Sequence, residues 1–375
     1  MATSGELEAW DVVTRMPVCI RWAGGRITHM ETIVRQPQED RWLAPGLFDL
    51  QINGYGGIDF QQDDLHLEDL LTAARGLRAA GCTRFFVALI TDDWPRLMNR
   101  LRHLRSMRTQ SPELQATIAG WHVEGPFLSA EPGFHGAHEP RWMRDPSPEH
   151  ILELRTAAGD DPVLLTLAPE RNGALKAIEV AVAHGMVVSL GHSDASAEVL
   201  RQGVDAGARA FTHLGNGCPR ALDRHDNILW RVFETPGLMV SLIPDRIHVS
   251  PPLFRLAHRV LSQQSIYYTS DAMSAAGASP GTYRLGQLKL EVAADQVVRQ
   301  PGQALFAGSA LRPIEGVFRA ADMLGCSWQE AWLRFSEAPA RLMSLPRGLE
   351  LGQPAEFCVV TVEAGNRLKE LKVER

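Results

Sequence analysis

Between Leu47 and about Asp271, eight short β-prone runs alternate with helical stretches, and that alternation restricts the fold more than any other feature of the chain. The runs cover 47–53, 83–91, 117–124, 162–169, 186–191, 208–213, 238–243 and 265–270. Among the intervening stretches, 67–77, 174–183, 197–204 and 253–260 carry apolar residues at helical spacing, and the first two stop at Gly81 and Gly185. Alternating β and α implies an α/β fold with a parallel sheet, and eight such units imply a closed (β/α)8, TIM-like barrel. A doubly wound open sheet is the competing fold, but its GxGxxG turn is missing after the first run.

The two ends of the chain look different. Residues 1–46 hold three β-prone pieces, 18–22, 25–28 and 32–35, and the C-terminus supplies another at 355–362. Both ends are read as one small β-sandwich domain, formed by 1–46 and 345–375, which a barrel at 47–344 interrupts. Two helices, about 313–324 and 327–343, are expected between the last barrel unit and the C-terminal strand.

Bulk properties exclude several classes. A chain of 375 residues can bury a large core, and its net charge of −6 gives no electrostatic reason to expect a nucleic-acid partner. No apolar run reaches the roughly 18 residues of a membrane span. The first residues, Met1-Ala2-Thr3-Ser4-Gly5-Glu6, lack the basic and apolar regions of a signal peptide. Five scattered cysteines without CxxC spacing fit reduced thiols, so a cytoplasmic protein is expected.

Active sites of (β/α)8 barrels lie at the C-terminal ends of the strands. Four polar residues end β-prone runs here: Glu124, His192, His213 and Asp271. One carboxylate and two imidazoles, each from a different strand, are a donor set for one divalent ion and leave a position open for water or substrate. Such an ion acidifies bound water and polarises a carbonyl, and an unligated carboxylate nearby carries the proton; Asp271 is the candidate. Each residue alone has a plainer reading, as a satisfied core histidine, an ion-pair partner or a helix cap. Their coincidence at strand ends favours the site.

On the first run, Gln51 and Asn53 share one face by the two-residue period. Amides are poor zinc ligands, so this pair is not expected to hold a second ion. The Gly/Pro-rich loop 131–140 offers His135 and His138 as possible contacts to substrate or metal. After His213, Asn216-Gly217 expose backbone N–H groups, and Arg220, Arg224 and His225 make the loop basic. An anionic substrate group could bind there, a solvated loop being the equal alternative.

Taken together, several stretches resemble the amidohydrolase superfamily, and within it the N-acetylglucosamine-6-phosphate deacetylases. They include Ala44-Pro45-Gly46-Leu47-Phe48-Asp49, His122-Val123-Glu124-Gly125-Pro126-Phe127 with Gly136-Ala137-His138, and Leu167-Ala168-Pro169-Glu170. Gly191-His192-Ser193, Thr212-His213-Leu214-Gly215-Asn216, His248-Val249, Ser270-Asp271-Ala272-Met273 and Gly308-Ser309-Ala310-Leu311 follow in family order. The resemblance implies a barrel of the amidohydrolase type with a small β-sandwich from both termini. It implies one divalent metal on Glu124, His192 and His213, zinc being expected and iron or manganese the alternatives. Asp271 would be general base and acid, and His248 would hold and polarise the substrate. Ala137, His138, Asn216, Gly217 and Gly308 would line the amino-sugar site. The resemblance further implies a homodimer in which Arg224 reaches the phosphate bound in the neighbouring subunit. Departures cluster near the sugar: Asp245-Arg246-Ile247-His248 has arginine where glycine is usual, Asn216-Gly217 replaces Asn-Ala, His225-Asp226-Asn227 replaces Glu-Pro-Gly, and Ser270 replaces threonine.

Overall fold

The computed structural model describes residues 4–302 and 306–374. All eight expected strands form: β1 (Leu47–Ile52), β2 (Cys82–Ile90), β3 (Ile118–Glu124), β4 (Val163–Leu167), β5 (Val187–Leu190), β6 (Ala210–Phe211), β7 (Met239–Leu242) and β8 (Ile266–Tyr268). They pair in sequence order and always in parallel. Helices fill the connections, among them Leu67–Ala79, Pro148–Ala158, Ala174–Ala183, Ala197–Asp205 and Pro251–Val260. Three helices open on the same dipeptide, Ser111-Pro112, Ser147-Pro148 and Ser250-Pro251. In each, the serine Oγ accepts a backbone N–H of the first turn, and the proline occupies a position whose own N–H would have no partner.

Side chains do most of the work of closing β8 onto β1. Beyond the strand ends a single parallel bridge joins Ile52 to Ala272. Below it the fully buried Asp49 accepts from Thr269 Oγ1 at 2.6 Å, Ser270 N at 2.9 Å and Ser270 Oγ at 2.5 Å. Burial pushes the Asp49 carboxyl up to about 6 against these hydrogen bonds, which favour its charged form. Ser270, one of the departures from the resembled pattern, is therefore a closure residue.

Gly5–Asp11, Pro17–Ala23, Arg26–Thr32, Trp42–Pro45, Phe357–Glu363 and Arg367–Glu374 form one six-stranded sheet. Phe357–Glu363 pairs with Trp42–Pro45, so the C-terminal strand lies beside the segment that enters the barrel. The handover from sheet to barrel takes one residue, Gly46. A Cβ there would lie 2.0 Å from Thr83 Oγ1, so the close approach of the two layers requires glycine.

Two elements differ from expectation. The helix expected at 327–343 is broken into Trp328–Arg334 and Glu337–Leu342. Pro339 has no N–H to offer the carbonyl four residues earlier, and that carbonyl, of Phe335, accepts instead from Phe48 N on β1 at 2.9 Å. The break thus docks the C-terminal helices on the barrel. Between β8 and the helix Pro313–Leu324 lies an unexpected antiparallel sheet of Gly281–Leu285, Leu288–Val292 and Val298–Arg299. Its signal is the two-residue alternation through 281–292, interrupted by a turn at Gly286, where φ is +58°. Among the described residues no helix is long and apolar enough to cross a membrane.

Replacing Gly46 with alanine is expected to cost about 1–3 kcal/mol, because either Thr83 or the strand must move. A urea titration should show a lower midpoint at unchanged slope. An unchanged midpoint would show that the handover relaxes freely.

Candidate active site

Glu124 is the last residue of β3, His192 and His213 lie two residues beyond β5 and β6, and Asp271 lies three beyond β8. The last three leave their strands in the left-handed region, with φ of 51°, 31° and 51°. Such conformations cost a non-glycine residue roughly 1–3 kcal/mol, so the surroundings must hold them. His213 N donates to Ser241 Oγ at 2.6 Å, His192 O accepts from Ser129 N at 3.0 Å, and Asp271 O accepts from Ser309 N at 2.8 Å.

These turns bring the side chains together over the barrel mouth. His213 Nε2 lies 2.8 Å and His192 Nε2 3.2 Å from the same oxygen, Oε1 of Glu124. Candidate ligand atoms of all three residues fall within 4.8 Å of one another, and all three side chains are buried. An ion with tetrahedral bonds of about 2.0–2.2 Å spaces its ligands roughly 3.4 Å apart, which this cluster matches.

Proton placement makes the same point. His192 Nδ1 lies 2.8 Å from the carbonyl of Phe134, which can only accept, so Nδ1 carries the hydrogen. In a neutral ring the Nε2 lone pair then faces a carboxylate oxygen, an arrangement that needs a cation or an added proton between them. His138 is oriented the opposite way. Its Nδ1 accepts from Thr91 N at 3.3 Å, so Nε2 carries the hydrogen and points at Glu124 Oε2, 3.7 Å away. His138 is thus set as a donor and His192 as a ligand. Burial opposes the charge on Glu124, but protons shared with His192 and His213 in the metal-free site outweigh it and hold the carboxyl well below its ordinary value.

Gln51 on β1 and Asn53 just beyond it are both engaged as donors. Gln51 Nε2 binds Glu124 Oε2 at 3.0 Å, and Asn53 Nδ2 binds Asp271 Oδ1 at 2.8 Å. Burial and the charge of Glu124 push the Asp271 carboxyl up to about 7, with Asn53 pulling the other way. His248 is tied through Nδ1 to Asp245 Oδ2 at 2.6 Å, and Asp245 Oδ1 accepts from the backbone N–H of Ile247 and His248 at 2.8 Å.

A cavity of about 580 Å³ opens above these groups, within the usual range for small-molecule sites. Its lining includes Glu124, His192, His213, Asp271 and His248, together with Ala137, His138, Asn216, Gly217 and Gly308. Gly217 approaches His192 closely: a Cβ there would lie 2.7 Å from Nδ1, so the glycine that replaces alanine suits this ring position. Arg224 is exposed and does not line the cavity of its own chain. Arg246 also points elsewhere. It takes the left-handed φ of 68° that glycine adopts easily, and its guanidinium pairs with Asp322. His135 lines a neighbouring cavity instead of this one.

Sequence reasoning missed Arg299 and the apolar wall of Ile90, Leu285 and Phe306. Leu285 and Arg299 belong to the unexpected hairpin sheet. Its alternating pattern was the available signal. No signal identified the Phe134 carbonyl that orients His192, because a backbone contact across a loop leaves no residue-type trace.

No family model matches the chain. Curated relatives do. A mouse N-acetylglucosamine-6-phosphate deacetylase is 31% identical over 359 residues, covering 90% of this chain and 86% of the relative. The enzyme of that name from Vibrio furnissii is 30% identical over 322 residues, covering 85% and 79%. The chain belongs to the N-acetylglucosamine-6-phosphate deacetylase family. It is a hydrolase of carbon–nitrogen bonds with the amidohydrolase fold. A solved variant of the family's enzyme from Mycobacterium smegmatis, in complex with N-acetyl-D-glucosamine-6-phosphate, superposes with a TM-score of 0.87 at 28% identity. That match covers 99% of this chain and 98% of the other. The family's metal dependence has a fitting donor set here: two imidazole nitrogens converge on one carboxylate oxygen with no proton required between them once a cation is bound.

Zinc added to metal-free protein at neutral pH is expected to bind with net release of about one proton, since the cation replaces whatever imidazole proton relieves the contact with Glu124. Calorimetry in two buffers of different ionisation enthalpy measures that number. Binding without proton release would show that the metal-free site carries no imidazolium.

Proposed function

We propose that this chain hydrolyses the acetamide of N-acetylglucosamine 6-phosphate to glucosamine 6-phosphate and acetate. The observation that carries the reading is Asp271. It shares the barrel mouth with Glu124, His192 and His213, yet its one side-chain hydrogen bond among the described residues comes from Asn53.

A divalent cation held by Glu124, His192 and His213, zinc by donor chemistry with iron or manganese as alternatives, supplies Lewis-acid polarisation of the amide carbonyl and acidifies bound water. Asn53 holds Asp271 Oδ1, leaving Oδ2 to receive the proton of the attacking water. Burial favours the protonated form of Asp271, so the carboxyl keeps that proton until the C–N bond breaks, then passes it to the amine nitrogen. His248 is oriented by Asp245, whose Oδ2 takes its Nδ1–H, so Nε2 is the ring nitrogen left for the substrate. His138 Nε2–H offers a second fixed donor at the cavity wall. Asn216 and Gly217 offer polar backbone at the sugar side.

The enzyme acts as a cytoplasmic homodimer in this reading, and Arg224 binds the phosphate held by the partner. Its exposure, outside the cavity of its own chain, supports that role. The free thiols of the five cysteines fit a reducing compartment.

Asp271→Asn is expected to retain the bound ion while kcat falls on the order of 10²–10⁴-fold. Steady-state kinetics with metal analysis checks this, and retained turnover would remove Asp271 from the mechanism. Arg224→Ala should raise KM for the phosphorylated sugar while leaving the unphosphorylated sugar unaffected. Co-expressed Arg224→Ala and Asp271→Asn chains should recover activity, because one of the two sites in the mixed dimer is complete. Absence of recovery would place Arg224 in its own site or in none.

A further inference from the structure

The loop after His213 gives the catalytic cavity an arginine that no protein group claims. Gly215, Asn216, Gly217, Cys218, Pro219 and Arg220 line the cavity in unbroken succession. Leu222 and Leu229 return to the lining, whereas Arg224 between them does not reach it. Four residues apart, the two arginines therefore have different access to their own chain's site. The backbone ahead of Arg220 is braced. A Cβ on Gly133 of the facing loop would lie 2.8 Å from Pro219 Cγ and 2.9 Å from Pro219 Cα, so the two loops pack as closely as glycine permits. Proline also fixes its own φ, which limits how far the chain entering Arg220 can swing.

The charges of the cavity leave Arg220 uncommitted. Its lining holds two arginines, Arg220 and Arg299. Arg299 is engaged by Asp295, with Nη1 on Oδ1 at 3.2 Å and Nη2 on Oδ2 at 2.8 Å. The two carboxylates of the lining, Glu124 and Asp271, are engaged by Gln51 and Asn53. Among the described residues the Arg220 guanidinium has no hydrogen-bond or ion-pair partner. Its planar fork of N–H donors is open to a ligand in the cavity.

Position suits an anion at one end of the substrate. Glu124, His192, His213 and Asp271 mark the reacting end, and the side chains of the first three are buried, whereas Arg220 is exposed. In N-acetylglucosamine 6-phosphate the amide and the phosphorylated carbon are attached to ring carbons directly across the sugar ring. With the amide at the buried groups, the phosphate is carried toward the cavity mouth. A guanidinium there takes two phosphate oxygens through parallel N–H···O bonds.

We propose that Arg220 is a specificity residue that binds the phosphate of the substrate held by its own chain, while Arg224 of the partner subunit approaches the same group from outside. The proposal rests on the amino-sugar reading. Phosphate recognition is then divided between the chains, and loss of Arg220 acts in the site of the chain that carries it.

The test compares metal-loaded Arg220→Ala and Arg220→Lys with the unaltered enzyme on N-acetylglucosamine 6-phosphate and on N-acetylglucosamine. In Arg220→Ala, kcat/KM for the phosphorylated sugar should fall roughly 10–100-fold, mainly through KM, with the unphosphorylated sugar changed less than about twofold. Arg220→Lys should recover part of the loss. A fall below about threefold, or an equal fall with both sugars, would overturn the proposal. Should the unphosphorylated sugar turn over too slowly to measure, calorimetric binding of glucosamine 6-phosphate and glucosamine makes the same comparison. Co-expressed Arg220→Ala and Asp271→Asn chains should gain no activity over Arg220→Ala alone, because neither site of the mixed dimer is complete. Recovery would place Arg220 in the partner's site and overturn the assignment. Failure of the unaltered, metal-loaded enzyme to hydrolyse the phosphorylated sugar would instead overturn the amino-sugar reading itself.

Discussion

Glu124 Oε1 is the point around which the site is organised. Two imidazole nitrogens, His213 Nε2 at 2.8 Å and His192 Nε2 at 3.2 Å, face that one oxygen in a region closed to solvent. A buried carboxylate pays a desolvation cost of several kcal/mol, and hydrogen bonds to a charged group return about 1.5–3 kcal/mol each. Gln51 on Oε2 and the two histidines on Oε1 are therefore enough to hold Glu124 charged, but only while a positive charge sits between the nitrogens and the oxygen. Folding builds the convergence, and a cation resolves it.

The barrel makes this arrangement possible by bringing strand ends together and then turning the chain sharply. His192, His213 and Asp271 all adopt left-handed backbone within three residues of a strand end. The strain is distributed over ordinary partners: Ser241 under His213, Ser129 beside His192, and Ser309 beside Asp271. Closure of β8 on β1 through Asp49, Thr269 and Ser270 places Asp271 across from Asn53. Stability and chemistry thus meet at the same rim. The hairpin sheet after β8 adds a wall that the barrel alone lacks, and it carries Leu285 and Arg299 into the cavity lining.

Much of this was legible in the residues. The two-residue and helical periods located every barrel strand, because a buried parallel strand must be nearly continuous in apolar residues. Glu124, His192 and His213 stood out because polar residues rarely end such runs without a task. The amides Gln51 and Asn53 were set apart by their chemistry as poor metal ligands, and the structure engages both as donors to carboxylates. Three things were hidden. The helix break at Pro339 depended on the tertiary acceptor relation between Phe335 and Phe48. The opposite tautomers of His138 and His192 depend on Thr91 N and Phe134 O, which are backbone groups brought in by loops. The residues alone placed Arg224 on a basic loop, and only the family resemblance pointed away from its own cavity, because that depends on how the loop folds back.

An anomalous-difference map of crystals grown with the metal-loaded protein tests the central claim most directly. One peak per chain is predicted, in bonding contact with Glu124 Oε1, His192 Nε2 and His213 Nε2, with Gln51 and Asn53 still donating to their carboxylates. A second peak against Gln51 and Asn53, or a single peak ligated by His138 in place of His192, would contradict the account.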